Sequence, residues 1–192
     1  MNPVIILNAP PQSGKDTLAN VLKKRFPLMR ESSFKLPLYH LYCQTVGIDY
    51  SDFMDLYNTV GWKDTPNPEL NGKTPRELMI HISENYIKPF FGDTYFGEQV
   101  SKQIEFYEYS REEEFSWVIP DGGFDSETEH MLKLLGERLV CIQFTRDNKN
   151  FDNDSRNWIK NIDNTIWIDH PGEPEQMADL VIEVLTKQGY VL

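Results

Sequence analysis

Cysteine is scarce in this 192-residue chain: the two present, Cys43 and Cys141, stand far apart in apolar or strand-like stretches. Neither has the near partner that a zinc site or redox pair needs, so buried free thiols in a reducing compartment are expected. Long hydrophobic runs are missing as well. No apolar stretch approaches the roughly 18 residues of a spanning helix. The short run Val4-Ile5-Ile6-Leu7 has no basic residues before it, which argues against a signal peptide. A cytoplasmic protein with no membrane partner is the expectation. Internal repeats and low-complexity tracts are absent, which excludes solenoids and tails of biased composition. Positive charge is in deficit, with 19 Lys and Arg against 30 Asp and Glu and a formal charge of −11. Polyanions are bound by extended basic surfaces, so nucleic acid is excluded as a partner, whereas a small anionic ligand needs only a local cluster of cations. The first forty residues provide one: Lys15, Lys23, Lys24, Arg25, Arg30 and Lys35 stand there against Asp16 and Glu31.

What is present is ample core material, 40% hydrophobic and 12% aromatic, in a length suited to one domain. Pro3 to Asn8 reads as an apolar strand of the kind buried on both faces of a parallel sheet. A turn-rich loop, Ala9 to Lys15, follows. Then Leu18, Val21, Leu22 and Phe26 recur at helical spacing, with Lys23, Lys24 and Arg25 where cations suit the helix dipole. Further strands are expected over 115–119, 139–144 and 165–168. A helix opened by a Ser126-x-x-Glu129 capping box runs through Leu135, and a last helix with Pro174 near its start places Met177, Leu180, Val181, Val184 and Leu185 on one stripe. Arg25 and Arg138 read as surface residues at a helix end and a strand start. The alternation predicts an α/β fold, a parallel sheet flanked by helices. Residues from about 36 to 110 show no strand and read as a helical insertion. Within it Thr74-Pro75-Arg76-Glu77 is a capping box, with Leu78, Met79, Ile82 and Tyr86 expected to face inward.

The strongest signal is the loop Ala9-Pro10-Pro11-Gln12-Ser13-Gly14-Lys15-Asp16-Thr17 between strand and amphipathic helix. In a phosphate-binding loop, backbone N–H groups curl around the β- and γ-phosphates, the lysine ammonium reaches the same oxygens, and the following helix presents its N-terminus to the anion. Pro11, Gln12, Ser13, Gly14, Lys15, Asp16 and Thr17 are therefore the expected nucleotide-binding residues. The sequence departs twice from the usual pattern. Ala9 stands for the first glycine, and Asp16 stands where a hydroxyl normally meets Mg²⁺, with Thr17 one position later.

A loop of this kind needs a carboxylate to organise Mg²⁺, usually at the end of a second apolar strand. Asp121, after Trp117-Val-Ile-Pro120, is best placed, although Asp before Gly122-Gly123 is also ordinary turn chemistry. Asp16 and Thr17 complete the candidate metal set. Transfer to a second anion needs cations beyond Lys15. Arg76 lies in the first turn of its helix, where the dipole disfavours it, which points either to an anionic ligand or to a solvated arginine. Lys35 is either a ligand for an acceptor phosphate or a strand cap. Arg146 and Arg156 are either members of a lid over about 146–157 or surface residues. Phe34 and the insertion aromatics Tyr39, Trp62, Phe90, Phe91, Tyr95 and Phe96 are either core or a base-stacking platform.

Taken together, Ser13-Gly-Lys-Asp-Thr17, Phe34-Lys35-Leu-Pro37, Lys73-Thr-Pro-Arg-Glu-Leu-Met79 and the strand ending at Asp121 make the sequence resemble the bacteriophage-type deoxynucleoside monophosphate kinases, within the P-loop nucleotide kinases. The resemblance implies a three-layer P-loop kinase fold as a single domain over 1–192, with the helical insertion binding the acceptor. It further implies ATP as donor, Mg²⁺, a small-molecule nucleotide acceptor and, for a viral chain, the host cytoplasm. Under it Lys15, Arg76, Arg146 and Arg156 are the catalytic candidates, and Phe34, Lys35, Arg76 and Asp121 line the acceptor. The sequence departs from the family at Gly122-Gly123, where an arginine commonly follows the strand-end Asp, and at Asp154-Ser-Arg156. Two competing functions stay open: a P-loop kinase of a small metabolite, and a catalytically weak nucleotide-binding regulator. Asn148-Lys149-Asn150-Phe151-Asp152 is one residue too long for a GTPase base-reading motif. Homodimerisation also stays open.

Overall fold

The computed structural model of the chain describes residues 1–146, 149–152 and 154–192. They form two compact units, one of residues 1–34 and 97–192 and the other of residues 35–96. The base-reading candidate begins at Asn148, and the lid span 146–157 includes positions 147, 148 and 153, so both lie partly outside the described residues.

The first unit is built on β1 (Val4–Asn8), α1 (Lys15–Arg25), β2 (Arg30–Glu31), the helix α6 (Tyr95–Arg111) from Gly97 onward, β3 (Trp117–Ile119), α7 (Asp125–Leu135), β4 (Leu139–Gln143), β5 (Thr165–Trp167) and α8 (Pro174–Lys187). Its five strands are all parallel, in the order β2-β3-β1-β4-β5, with β1 central. Alternation along each strand divides the core by face. Ile5, Leu7, Val118, Val140 and Ile142 meet Leu18, Ala19 and Leu22 of α1 and Met177, Ala178, Val181 and Leu185 of α8. Val4, Ile6, Trp117, Ile119 and Cys141 meet Val100 and Ile104 of α6 and Met131 and Leu135 of α7. A three-layer α/β arrangement is the result, as the alternation predicts.

Some boundaries move. The insertion read as reaching about 110 ends at Phe96, because Val100 and Ile104 turn α6 into the sheet. β3 starts at Trp117 rather than at 115, because the Phe115 N–H donates to Glu108 Oε1 at 3.0 Å instead of to a strand. α7 begins at Asp125 with Phe124 at its N-cap, and Ser126 makes no cap. Asp125 Oδ1 instead accepts from the Lys160 N–H at 2.7 Å, tying the later segment to this helix. Arg138 is no surface residue: its guanidinium is about one-tenth exposed and donates to both carboxylate oxygens of Glu108, at 2.8 and 2.9 Å. Cys43 and Cys141 are both buried free thiols.

The second unit contains α2 (Leu36–Val46), α3 (Tyr50–Tyr57), two short 3₁₀ turns, α4 (Pro75–Ile80), a π-helical stretch His81–Ile87, α5 (Lys88–Phe91) and the first residues of α6. Its core is aromatic: Tyr39, Tyr42, Tyr57 and Trp62 pack around Phe53 with ring centroids 5.2 to 5.9 Å away. The Thr74-Glu77 capping box forms in both directions. The inward stripe holds through Met79 and Ile82 and then fails: Tyr86 is more than half exposed while Ile87 is buried. An i→i+5 ladder over 81–87 widens the turn and advances the buried position by one residue. Phe90 and Phe91 are exposed rather than core. Among the described residues no helix is long and apolar enough to cross a membrane.

Candidate active site

β1 delivers the chain to the loop with its last side chain polar and fully buried. Asn8 makes four hydrogen bonds: Nδ2 donates to the carbonyls of Gly122 (3.1 Å) and Asn157 (3.0 Å), and Oδ1 accepts from Gln143 Nε2 and the Ile159 N–H, both at 2.9 Å. The ends of β1, β3 and β4 and the segment 157–159 are thereby joined at one point. A side chain that satisfied in a buried position is a rigid fixture.

Beyond it the loop turns on two left-handed residues, Gln12 at φ 61° and Gly14 at φ 92°. Glycine takes that conformation without strain and exposes its N–H to a close ligand. Gly14 is the N-cap of α1 and makes no side-chain cap, so the first N–H groups of the helix stay open to an anion. Lys15 is 6% exposed and curls back, its ammonium donating to the Ala9 and Pro10 carbonyls, the latter at 2.9 Å. Ala9 thus serves through its carbonyl and is buried at the place of the usual glycine. Ser13 is fully buried, and its Oγ has no hydrogen-bond partner among the described residues. An orphaned hydroxyl, open helix N–H groups and a buried ammonium together fit a polyphosphate. Asp16 and Thr17 are exposed on the first turn of α1.

Asp121 stands just past β3, 8% exposed. Its Oδ2 accepts from Ser33 Oγ at 2.7 Å and its Oδ1 from the Phe34 N–H at 3.1 Å, so it binds the exit of β2 to the exit of β3. Phe34 itself lies in the core between sheet and α6, 3% exposed, and offers no face to a base. Arg156 is brought to this same end of the sheet. It donates to Asp154 from Nε and Nη2, both at 2.8 Å, in a two-pronged pair. The guanidinium holds the Asp154 carboxyl at about 2, aided by the Arg156 N–H and the field of Lys15. Arg156 is raised in turn, first by Asp154 and then by the fields of Asp121 and Glu127.

Arg146 joins Gly14, Thr17, Leu18, His170, Gly172 and Pro174 around a cavity of about 170 Å³ beside the loop. His170 Nδ1 accepts from the Gly172 N–H at 3.0 Å, and its Nε2 lies on the side of Gly14. Lys149 donates to Gln12 Oε1 at 3.0 Å, a contact with no signal in the sequence. Pro11, Gln12, Ser13, Gly14, Lys15, Thr17, Asp121, Arg146 and Arg156 all belong to the sheet unit.

Lys35 and Arg76 belong to the helical unit. Lys35 is the N-cap of α2. Arg76 meets Asp64 in a two-pronged pair, Nε to Oδ1 at 2.6 Å and Nη2 to Oδ2 at 3.2 Å, with both side chains about half exposed. Asp64 supplies the negative partner that a cation in a first helical turn lacks. Asn8 and His170 are given no role by the sequence, and Gly123, Asp154 and Lys149 stand out there only as departures from the family or as part of a motif one residue too long. Asn8 carried the one usable signal, a polar residue closing an otherwise apolar strand.

No protein-family model matches this chain, and no curated protein matches it. Among solved structures, a gluconokinase from Sinorhizobium meliloti 1021 aligns at 10% identity with a TM-score of 0.47, covering 97% of this chain and 93% of its own. Shikimate kinase from Aquifex aeolicus vf5 aligns at 10% identity with a TM-score of 0.41, covering 96% and 97%.

Proposed function

We propose that this chain is an ATP-dependent phosphotransferase whose acceptor is a (deoxy)nucleoside 5′-monophosphate, giving the diphosphate. The observation that carries the reading is the Lys15 ammonium buried in the curl of a loop with left-handed Gln12 and Gly14, at the open N-terminus of α1. That combination suits the β- and γ-phosphates of a nucleotide, and the buried Ser13 Oγ, without a partner among the described residues, is a further donor for such an anion. Lys15 exchanges its two carbonyl partners for phosphate oxygens and follows the charge as it moves toward the bridging oxygen. The cavity lined by Arg146 and His170 is suited to the donor base, which a guanidinium and an imidazole can stack against.

Thr17 Oγ1, the Asp16 carboxylate and Asp121 are the residues that would hold Mg²⁺, which would neutralise phosphate charge when bound with the nucleotide. An acceptor phosphate is already anionic at neutral pH, so no base is required. Catalysis is positioning and cationic stabilisation. Arg76 and Lys35 are the acceptor candidates of the helical unit, and Arg76 is offered to an incoming phosphate by an exposed, exchangeable pair with Asp64. The experiment is a coupled ADP-release assay with MgATP across the common nucleoside and deoxynucleoside monophosphates. Turnover with one or more of them is expected. Turnover only with a small non-nucleotide acceptor would move the reading to a metabolite kinase, and none with any acceptor would move it to a nucleotide-binding regulator.

A further inference from the structure

Gly122 and Gly123 follow Asp121 and are both buried. Neither lies in the left-handed region, so backbone conformation does not require glycine at either position. Space does. A Cβ on Gly122 would come within 2.3 Å of Ile6 Cγ2, an ordinary packing constraint. At Gly123 the collision is with a single polar side chain: the same atom would stand 2.5 Å from Arg156 Cβ and Cγ and 2.7 Å from Cδ. The stem of Arg156 therefore runs through the volume that a side chain at 123 would fill.

The surroundings hold Arg156 in that volume. The Asn157 N–H donates to the Gly123 carbonyl at 2.9 Å, and Asn8 Nδ2 reaches Gly122 and Asn157 together. At the other end of the side chain, Asp154 takes the guanidinium with both carboxylate oxygens, and the charge of Lys15 acts on that carboxylate. An arginine fork that fits a carboxylate fits a phosphate equally, so an entering phosphate group competes with Asp154 for the same donors.

We propose that Gly123 is a positioning residue: lacking a side chain, it seats Arg156 beside the phosphate loop as a second anion-binding cation, and Asp154 holds the guanidinium until a phosphate group displaces it. The proposal rests on the phosphate-loop reading above and adds to it how a second cation is placed there.

Calorimetric titration of the full chain with MgATP tests it, alongside the melting temperature of each variant. Gly123→Ala is expected to loosen ATP about tenfold, the size of one charged hydrogen bond. In an Arg156→Gly background the same substitution is expected to add nothing, because the residue it displaces is gone. Asp154→Asn is expected to tighten ATP, by about threefold, since it removes the competitor, whereas a merely structural pair would give unchanged or weaker binding. Wild-type affinity in Gly123→Ala, or an equal loss in both backgrounds, overturns the proposal. So does unchanged or weaker binding in Asp154→Asn, which decides the matter even where Gly123→Ala fails to fold. A wild-type chain that does not bind ATP would overturn the phosphate-loop reading itself.

Discussion

The two units hold their polar groups in opposite ways. In the sheet unit, Asn8, Asp121, Asp154 and Arg156 are buried or half-buried and each is held by more than one hydrogen bond; the partners of Asn8 and Asp121 come from other elements, while Asp154 and Arg156 hold each other. In the helical unit the interior is aromatic, and the polar candidate Arg76 rests on one half-exposed ion pair. A group fixed by several buried bonds is preorganised and costs stability when disturbed. A group on an exposed pair is nearly free to change partner, since such pairs contribute little. Under the proposed function, donor phosphates would meet groups on a buried framework and the acceptor would meet a group on an exposed pair.

Substitutions separate these two modes. A large stability loss is expected from Arg138→Met, which leaves the largely buried Glu108 without its guanidinium. Burial pushes the Glu108 carboxyl up, and Arg138, the Phe115 N–H and Trp117 together outweigh it and hold it low. Chemical denaturation should show a loss of about 3 kcal/mol; a loss within 0.5 kcal/mol of zero, the range of ordinary surface changes, would place the pair outside the scaffold. In the helical unit, Ile87→Ala is expected to cost about 2 to 4 kcal/mol and Tyr86→Ala only a few tenths. Equal costs would argue for an ordinary α-helical register over 81–87.

Arg76→Ala is expected to raise the acceptor KM about tenfold to a hundredfold while leaving ATP affinity and melting temperature unchanged. A matching loss of ATP affinity would remove the distinction between the units. A further effect is a dependence on pH. Asp154 is held at about 2 by Arg156, below its unfolded value, so its stabilisation is complete above the ordinary carboxylate range and is lost as pH falls toward 2. The wild type should exceed Asp154→Asn in stability by at most about 2 kcal/mol near neutrality, and urea unfolding from pH 6 downward should show that gap closing. A constant gap would mean that the pair is not what stabilises the segment.

Much of the sheet unit was legible in the sequence because its signals are local and agree with one another: an apolar strand, a Gly-Lys turn, an amphipathic helix. The Thr74-Glu77 cap was legible for the same reason. Tyr86 was misplaced because helical spacing assumes i→i+4 bonding, and nothing in the residues from 81 to 87 announces a wider ladder. Phe34 was misread because its neighbours Ser33 and Lys35 are polar, whereas the bond from its own N–H to Asp121 turns the ring into the core. The meaning of Gly123 was out of reach, because it depends on a side chain 33 positions later in the chain. Spacing can identify a motif, but volume shared between distant residues is visible only once the chain has folded.

In the proposed function, Lys15 in its curled loop stabilises the phosphoryl group moving from ATP to a nucleoside monophosphate. The most direct measurement is ADP release with MgATP and the preferred monophosphate, in the wild type and in Lys15→Ala. Loss of at least about a thousandfold in turnover at an unchanged melting temperature is the result expected. Turnover in Lys15→Ala equal to the wild type would contradict the account.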